Sequence, residues 1–124
     1  MYQMLLSINP EHVESILRGE KQFEFRKVRC KAEVSKIIIY CTAPHKSVVA
    51  EVDIEEIIED DILEVWRQTK KSAGISYNFF RSYYKGKKKA VAYKLSNLTV
   101  YEKPRLLSEY GISQAPQSFV YIKE

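Results

Sequence analysis

Two cysteines, four glycines, two histidines and one tryptophan in 124 residues put several classes of protein out of reach. Cys30 and Cys41 are too few and too far apart for the disulfide framework that staples small secreted domains. The opening MYQMLLSINPEH has no basic segment and meets Pro10 and Glu11 at once, which does not describe a signal peptide. A reduced, cytoplasmic setting is the expectation. The candidate ligands His12, Cys30, Cys41 and His45 come no closer than Cys41-x-x-x-His45, with no second close pair, so no metal site is expected. No glycine-rich phosphate loop, nucleophile elbow or Ser/His/Asp order is recognisable, so no cofactor is expected. No apolar run approaches the roughly 20 residues of a membrane span, and a membrane partner is not expected.

What the chain does carry is an ordinary globular mixture, 45% hydrophobic and 29% charged, at a length that suits a single domain over residues 1–124. Its charge is unevenly placed. Residues 51–64 hold eight acids and no base, and residues 65–94 hold nine Lys and Arg and no acid. If the two blocks lie on different faces, the basic one attracts polyanions, with RNA or another single-stranded nucleic acid the foremost candidate. The alternatives are a merely solubilising basic face and a protein partner that docks on the acidic block.

Periodicity gives the element order. YQMLLSI reads as a first strand. Asn9-Pro10 starts a helix with the stripe Val13, Ile16 and Leu17, and Gly19 ends it. FEFRK follows as a strand, then SKIIIYCTAP, then 47–55 with Val48, Ala50, Val52 and Ile54 inward. Asp60 or Asp61 caps a helix through ILEVWRQTKK anchored by Trp66, Ala73–Gly74 breaks it, and Ser76 caps YNFFRSYY. KKKAVAYKLSNLTVYEKP is a long strand or a bent pair hinged at Ser96–Asn97, LLSEY is a helical turn, and SFVYIKE is the last strand. Strands dominate and the helices do not alternate strictly with them. The expected class is α+β, a small mixed β-barrel with short peripheral helices.

RGEKQFEFRK, residues 18–27, crowds Lys21, Glu24 and Arg26 into six positions at a helix–strand corner. Glu24 and Arg26 share one strand face. A guanidinium fork suits carboxylate or phosphate, and a carboxylate suits the exocyclic amine of a base. Lys21 is either a phosphate contact or, with its pKa lowered, a base or nucleophile. Against this stands a plain surface ion pair of about 0–1 kcal/mol. Nearby, Tyr40 is a candidate for stacking on a base or a core aromatic with its hydroxyl at the rim; Thr42 shares its strand face. Ser118, which begins the last strand, is either a plain turn or strand-start serine or a candidate to close the pocket with its hydroxyl. NFFRSYYKGKKK mixes aromatics with Lys85, Lys87, Lys88 and Lys89; helical spacing assigns the aromatics mostly to the core and leaves the lysines exposed.

Gly19-x-Lys21-x-x-Glu24-x-Arg26 resembles the G-x-K-x-x-E-x-R signature of the ASCH domain, a branch of the PUA-like fold. IIIYCTAPHKSVVAEVDI, KKAVAYKLSNLTVYEKPRLLSEYGI and APQSFVYI are similar to the rest of the small prokaryotic members, so the resemblance covers nearly the whole chain. It implies a β-barrel with a cleft between barrel and helices where the signature residues gather, and RNA binding. For some members it implies amidohydrolase action on acetylated cytidine, and for one branch RNA cleavage. The amidohydrolases have a lysine matching Lys21 and a threonine where this chain has Glu24; Glu64 is a positional candidate for their further catalytic glutamate. The leading expectation is an RNA- or nucleoside-binding domain, with a hydrolase of modified nucleosides or of RNA as the alternative and Lys21 and Glu24 as its catalytic candidates.

Overall fold

Apolar alternation and its interruptions decide where this chain pairs. In the computed structural model, which describes residues 1–123, the strands are β1 (Tyr2–Ile8), β2 (Phe23–Arg26), β3 (Val34–Cys41), β4 (Ser47–Asp61), β5 (Lys89–Arg105) and β6 (Phe119–Lys123). The helices are α1 (Pro10–Leu17), α2 (Ile62–Thr69) and α3 (Tyr77–Tyr83), with 3-10 turns at Lys70–Ser72 and Leu107–Tyr110. One six-stranded sheet runs β2-β5-β4-β3-β1-β6. Only β1 and β3 are parallel, as a strand–helix–strand crossover through α1 requires.

The mixed α+β class holds, and the barrel is open. β2 and β6 sit at opposite ends of the sheet and share no ladder. The sheet nevertheless curls until Arg26, on β2, donates to the Ser7 carbonyl on β1 at 3.1 Å and to the Ser118 hydroxyl at the start of β6 at 3.2 Å. A side chain bridges the gap that backbone hydrogen bonds leave.

Three apolar clusters follow from the two faces of this curled sheet. Inside, Met4, Leu6, Ile8, Ile37, Ile39, Ala50, Val52, Val91 and Tyr93 are covered by Val13 and Ile16 of α1. Behind β2 and β5, Phe23, Phe25, Ala90 and Ala92 pack on Val65, Ala73, Phe80 and Tyr84 of the α2–α3 segment. On the opposite side, Leu5, Ile38, Tyr40 and Val48 meet Leu107, Tyr110, Val120 and Ile122.

Local signals place the helices, with one substitution of partner. Asp61 and Ser76 accept from the backbone N–H of Glu64 and Phe79, as N-caps do. Asn9 occupies the cap of α1 but makes no side-chain cap bond; its Oδ1 accepts from the Thr42 hydroxyl at 3.3 Å instead. β4 runs past residue 55 to Asp61, and β5 is one strand with register shifts, its expected hinge marked by Asn97 at φ 51°.

Candidate functional site

β2 is four residues long and buried on both faces. Phe23 and Phe25 fill the cluster under α2 and α3, which turns Glu24 and Arg26 toward the barrel interior. There they stand opposite Tyr93 and Val91 in the antiparallel register. The Glu24 carboxylate lies 2.9 Å from Arg26 Nη2 and accepts from Arg26 Nε at 3.0 Å, while its other oxygen is 3.9 Å from Lys21 Nζ. Side-chain exposures of 3% for Lys21, 8% for Glu24 and 16% for Arg26 remove the surface-ion-pair reading, because the exposed-pair estimate presumes full solvation.

Lys21 does not reach outward. Its ammonium donates to the Ala73 carbonyl at 3.4 Å and lies 4.7 Å from the centroid of the Phe25 ring. Burial pushes its pKa below the ordinary lysine value; repulsion by Arg26 acts the same way and attraction by Glu24 opposes both. The expected role as a direct phosphate contact is therefore closed to it in this conformation. Gly74 makes the burial possible. It adopts φ +69°, and a Cβ there would stand 2.4 Å from Lys21 Cβ.

The remaining candidates divide. Ser118 joins the corner through Arg26 Nη1, and its carbonyl accepts from the Ser7 N–H at 3.0 Å. Thr42 stands at the start of α1, bonded to Asn9 and to the Ile8 carbonyl, and makes no contact with the three ions. Tyr40 is 5% exposed, its ring packed in the Leu5–Ile38–Val48 cluster, so no base can stack on it. No described residue bonds its hydroxyl, and no buried side-chain oxygen lacks a partner, so that hydroxyl is the point where Tyr40 meets solvent. Lys85, Lys87 and Lys88 on the turn between α3 and β5, and Lys89 at the start of β5, are all exposed. This turn adjoins the corner: the Tyr84 hydroxyl lies 2.9 Å from the Arg26 carbonyl and 3.1 Å from that of Val91, and donates there.

Two residues of this region escaped the sequence reading. His12, weighed there only as a metal ligand, sits on the first turn of α1 within reach of the charges of Lys21, Glu24 and Arg26. Burial above all, with Lys21 beside it, holds its pKa below the usual 6.5. Phe79 meets it edge-on at 5.3 Å between ring centroids. Assigning the α3 aromatics mostly to the core is right for Phe80 and Tyr84 and wrong for Phe79, which is 45% exposed. The signal was present: 79/83 and 80/84 are two i,i+4 pairs on adjacent faces of one helix, and a surface helix buries one stripe.

The corner thus offers a desolvated lysine, a carboxylate clamped by a guanidinium, a hydroxyl at the rim and a histidine alongside. Among the described residues no group of His, Cys, Asp and Glu is arranged to hold a metal ion. The arrangement can recognise hydrogen-bonding and anionic groups, and burial favours the neutral form of both its lysine and its histidine.

Comparison with known proteins agrees with this architecture. The profile of the ASCH domain matches residues 6–105. The crystal structure of ASCH from Zymomonas mobilis superposes with a TM-score of 0.88 at 29% identity, covering 98% of this chain and 88% of that one. An ASCH domain-containing ribonuclease from Zymomonas mobilis subsp. mobilis is 33% identical over 94 residues, which are 75% of this chain and 64% of that protein. The large ribosomal subunit protein uL22 of Ureaplasma parvum serovar 3 is 32% identical over 121 residues, 97% of this chain but 39% of that protein. This chain therefore spans well under half of the ribosomal relative and just under two thirds of the ribonuclease. With the profile covering most of its length and the fold reproduced throughout, the chain belongs to the ASCH domain family.

Proposed function

We propose that this domain binds single-stranded RNA, or a nucleoside-sized piece of it, at the Glu24–Arg26–Ser118 rim, with the lysines of residues 85–89 engaging phosphates. One observation carries the reading: the two charge blocks have different fates on the folded surface. In the acidic block, Glu51 and Asp53 pair with Lys36, Glu55 with Lys94, Glu59 with Arg29 and Glu64 with Arg67, while Asp61 caps α2. In the basic block, Arg81, Lys85, Lys87, Lys88 and Lys89 have no carboxylate partner among the described residues. Five of the eight acids are paired within the domain, which weakens the reading of a protein partner docked on them, and these cations of the basic block stay free beside the corner. The relative that carries the name ribonuclease adds support from outside the chain.

Measured by anisotropy with a labelled RNA pool, affinity is expected to fall steeply with salt. Replacing Lys87, Lys88 and Lys89 together by Ala should flatten the log–log slope by about 2, at roughly 0.7 per phosphate contact on a single strand. An unchanged slope would reduce the block to a solubilising face.

A second reading is RNA hydrolysis in the same corner, favoured by the buried, pKa-lowered Lys21. In that case Lys21→Ala abolishes cleavage of a labelled RNA while leaving its binding in place. Persistence of cleavage in the variant rejects the assignment. The acetylcytidine amidohydrolase alternative draws no support from the corner: a carboxylate stands where those enzymes have a hydroxyl, and Glu64 is engaged with Arg67 and Gln68.

A further inference from the structure

Beside the ion cluster, α1 and the start of α3 enclose a groove of about 230 Å3 lined by Glu11, His12, Ser15, Gly74, Ile75, Ser76 and Phe79. We propose that this groove is a subsite for one nucleobase, stacked on the Phe79 ring and read along its edge by His12; the proposal rests on the RNA-binding reading above.

Three observations converge on it. An aromatic ring with nearly half its surface exposed stands at the wall of a concavity, held in orientation by its edge contact with the imidazole. Beside the apolar Gly74 and Ile75, the lining offers two serine hydroxyls, an imidazole and a carboxylate, a mixture of donors and acceptors for a base edge. The volume is below the roughly 300 Å3 at which small-molecule pockets begin, which suits a single base better than a whole cofactor.

The surroundings say where the rest of the strand would run. The next face of α3 forms a second depression lined by Asn78, Arg81, Ser82 and Lys85, with no carboxylate in it. Glu11 repels phosphate from the groove itself, so the backbone passes on the Arg81–Lys85 side while the base turns inward over Phe79. Stacking on one helical face and cations on the adjacent one is the division of labour that single-strand binding uses. At neutral pH His12 is uncharged, because burial and Lys21 outweigh the opposing pull of Glu24 and Glu11, with Arg26 acting in the same sense as Lys21. It therefore meets the base as a neutral hydrogen-bonding group, through one ring nitrogen, and not as a bare positive charge.

The test compares the unaltered protein with Phe79→Ala and Phe79→Trp, using a labelled eight-uridine RNA and, as a polyanion without bases, heparin. Phe79→Ala is expected to weaken RNA binding roughly 5- to 150-fold, the range for loss of one stacked base, without altering the salt slope. Heparin affinity should stay the same. Phe79→Trp should retain RNA affinity, with part of its added indole fluorescence quenched by the RNA. If Phe79→Ala binds RNA as the unaltered protein does, or loses heparin in equal measure, the nucleobase subsite is wrong while RNA binding stands. If the unaltered protein binds heparin but not RNA, the RNA-binding reading itself fails and the subsite with it.

Discussion

Glu24→Ala is expected to destabilise the fold by about 3–5 kcal/mol, the range for breaking a buried ion pair by removing one partner. For a domain of this size that is a fall in Tm of roughly 10–20 °C. The size comes from what is left behind. Among the described residues Glu24 is the one carboxylate in contact with both Lys21 and Arg26, and its loss leaves two cations facing each other with little water to screen them. Lys21→Met is the contrasting substitution. It leaves the Glu24–Arg26 pair intact and removes the cation with the poorest compensation, so stability should hold or rise. The pH dependence separates the two variants further. Because the folded pKa of Lys21 is lowered, the unfolded chain binds more protons in the window below the usual 10.5, and stability rises with pH there. The difference between the unaltered protein and Lys21→Met should shrink as pH climbs through that window. Urea titrations at several pH values measure both effects; a Glu24→Ala midpoint equal to that of the unaltered protein would show that the cluster is solvated after all.

Gly74→Ala should cost about 2–5 kcal/mol, and for a reason that Gly19→Ala does not share. Both glycines have positive φ, +69° and +79°, where a side chain costs about 1–2 kcal/mol. Around Gly19 nothing lies within 4 Å of an added methyl, whereas at Gly74 it would meet Lys21 Cβ at 2.4 Å and Lys21 Cα at 2.7 Å. Backbone cannot step aside as a flexible side chain can, so an overpacking cost of about 1–3 kcal/mol is added. The turn is also tied from the other side, since the Gln22 N–H donates to the Ser72 carbonyl at 2.8 Å. Thermal melts of the two variants side by side test this. Equal losses would mean that the backbone conformation alone matters and that Lys21 is not gripped.

Much of this molecule is legible in its residues because local chemistry and global fold agree. Caps at Asp61 and Ser76, alternation from Val48 to Ile54, and the glycine stop after Leu17 each specify one conformation. The sequence reads less well where a bulge intervenes. After Ile54 the pattern EEIIED loses its period of two, which looks like a strand ending; the ladder instead absorbs register shifts and continues to Asp61. At the corner, spacing places Glu24 and Arg26 on one face but says nothing of depth. Lys21 is long and charged, features that argue for exposure, and it is buried by the Ala73–Gly74 turn, with Ala73 52 residues away, together with the Phe25 ring. Tyr40 illustrates the converse. Its neighbours in sequence allow a rim or a core position, and the choice is made by residues 107–122 folding over the far side of the sheet.

The pairing of β1 with β6 has a consequence for where such a unit can live. Tyr2 stands directly opposite Lys123 in the antiparallel register, so the two ends of the fold leave side by side, separated by one strand spacing of about 5 Å. A host polypeptide need only part by about that width to receive a unit bounded by β1 and β6 without stretching either junction. Neither end passes through the ion corner or the basic turn, so splicing does not disturb them. The fold is in this sense a portable cassette, and a similar segment making up 39% of a ribosomal protein is an arrangement that its geometry permits.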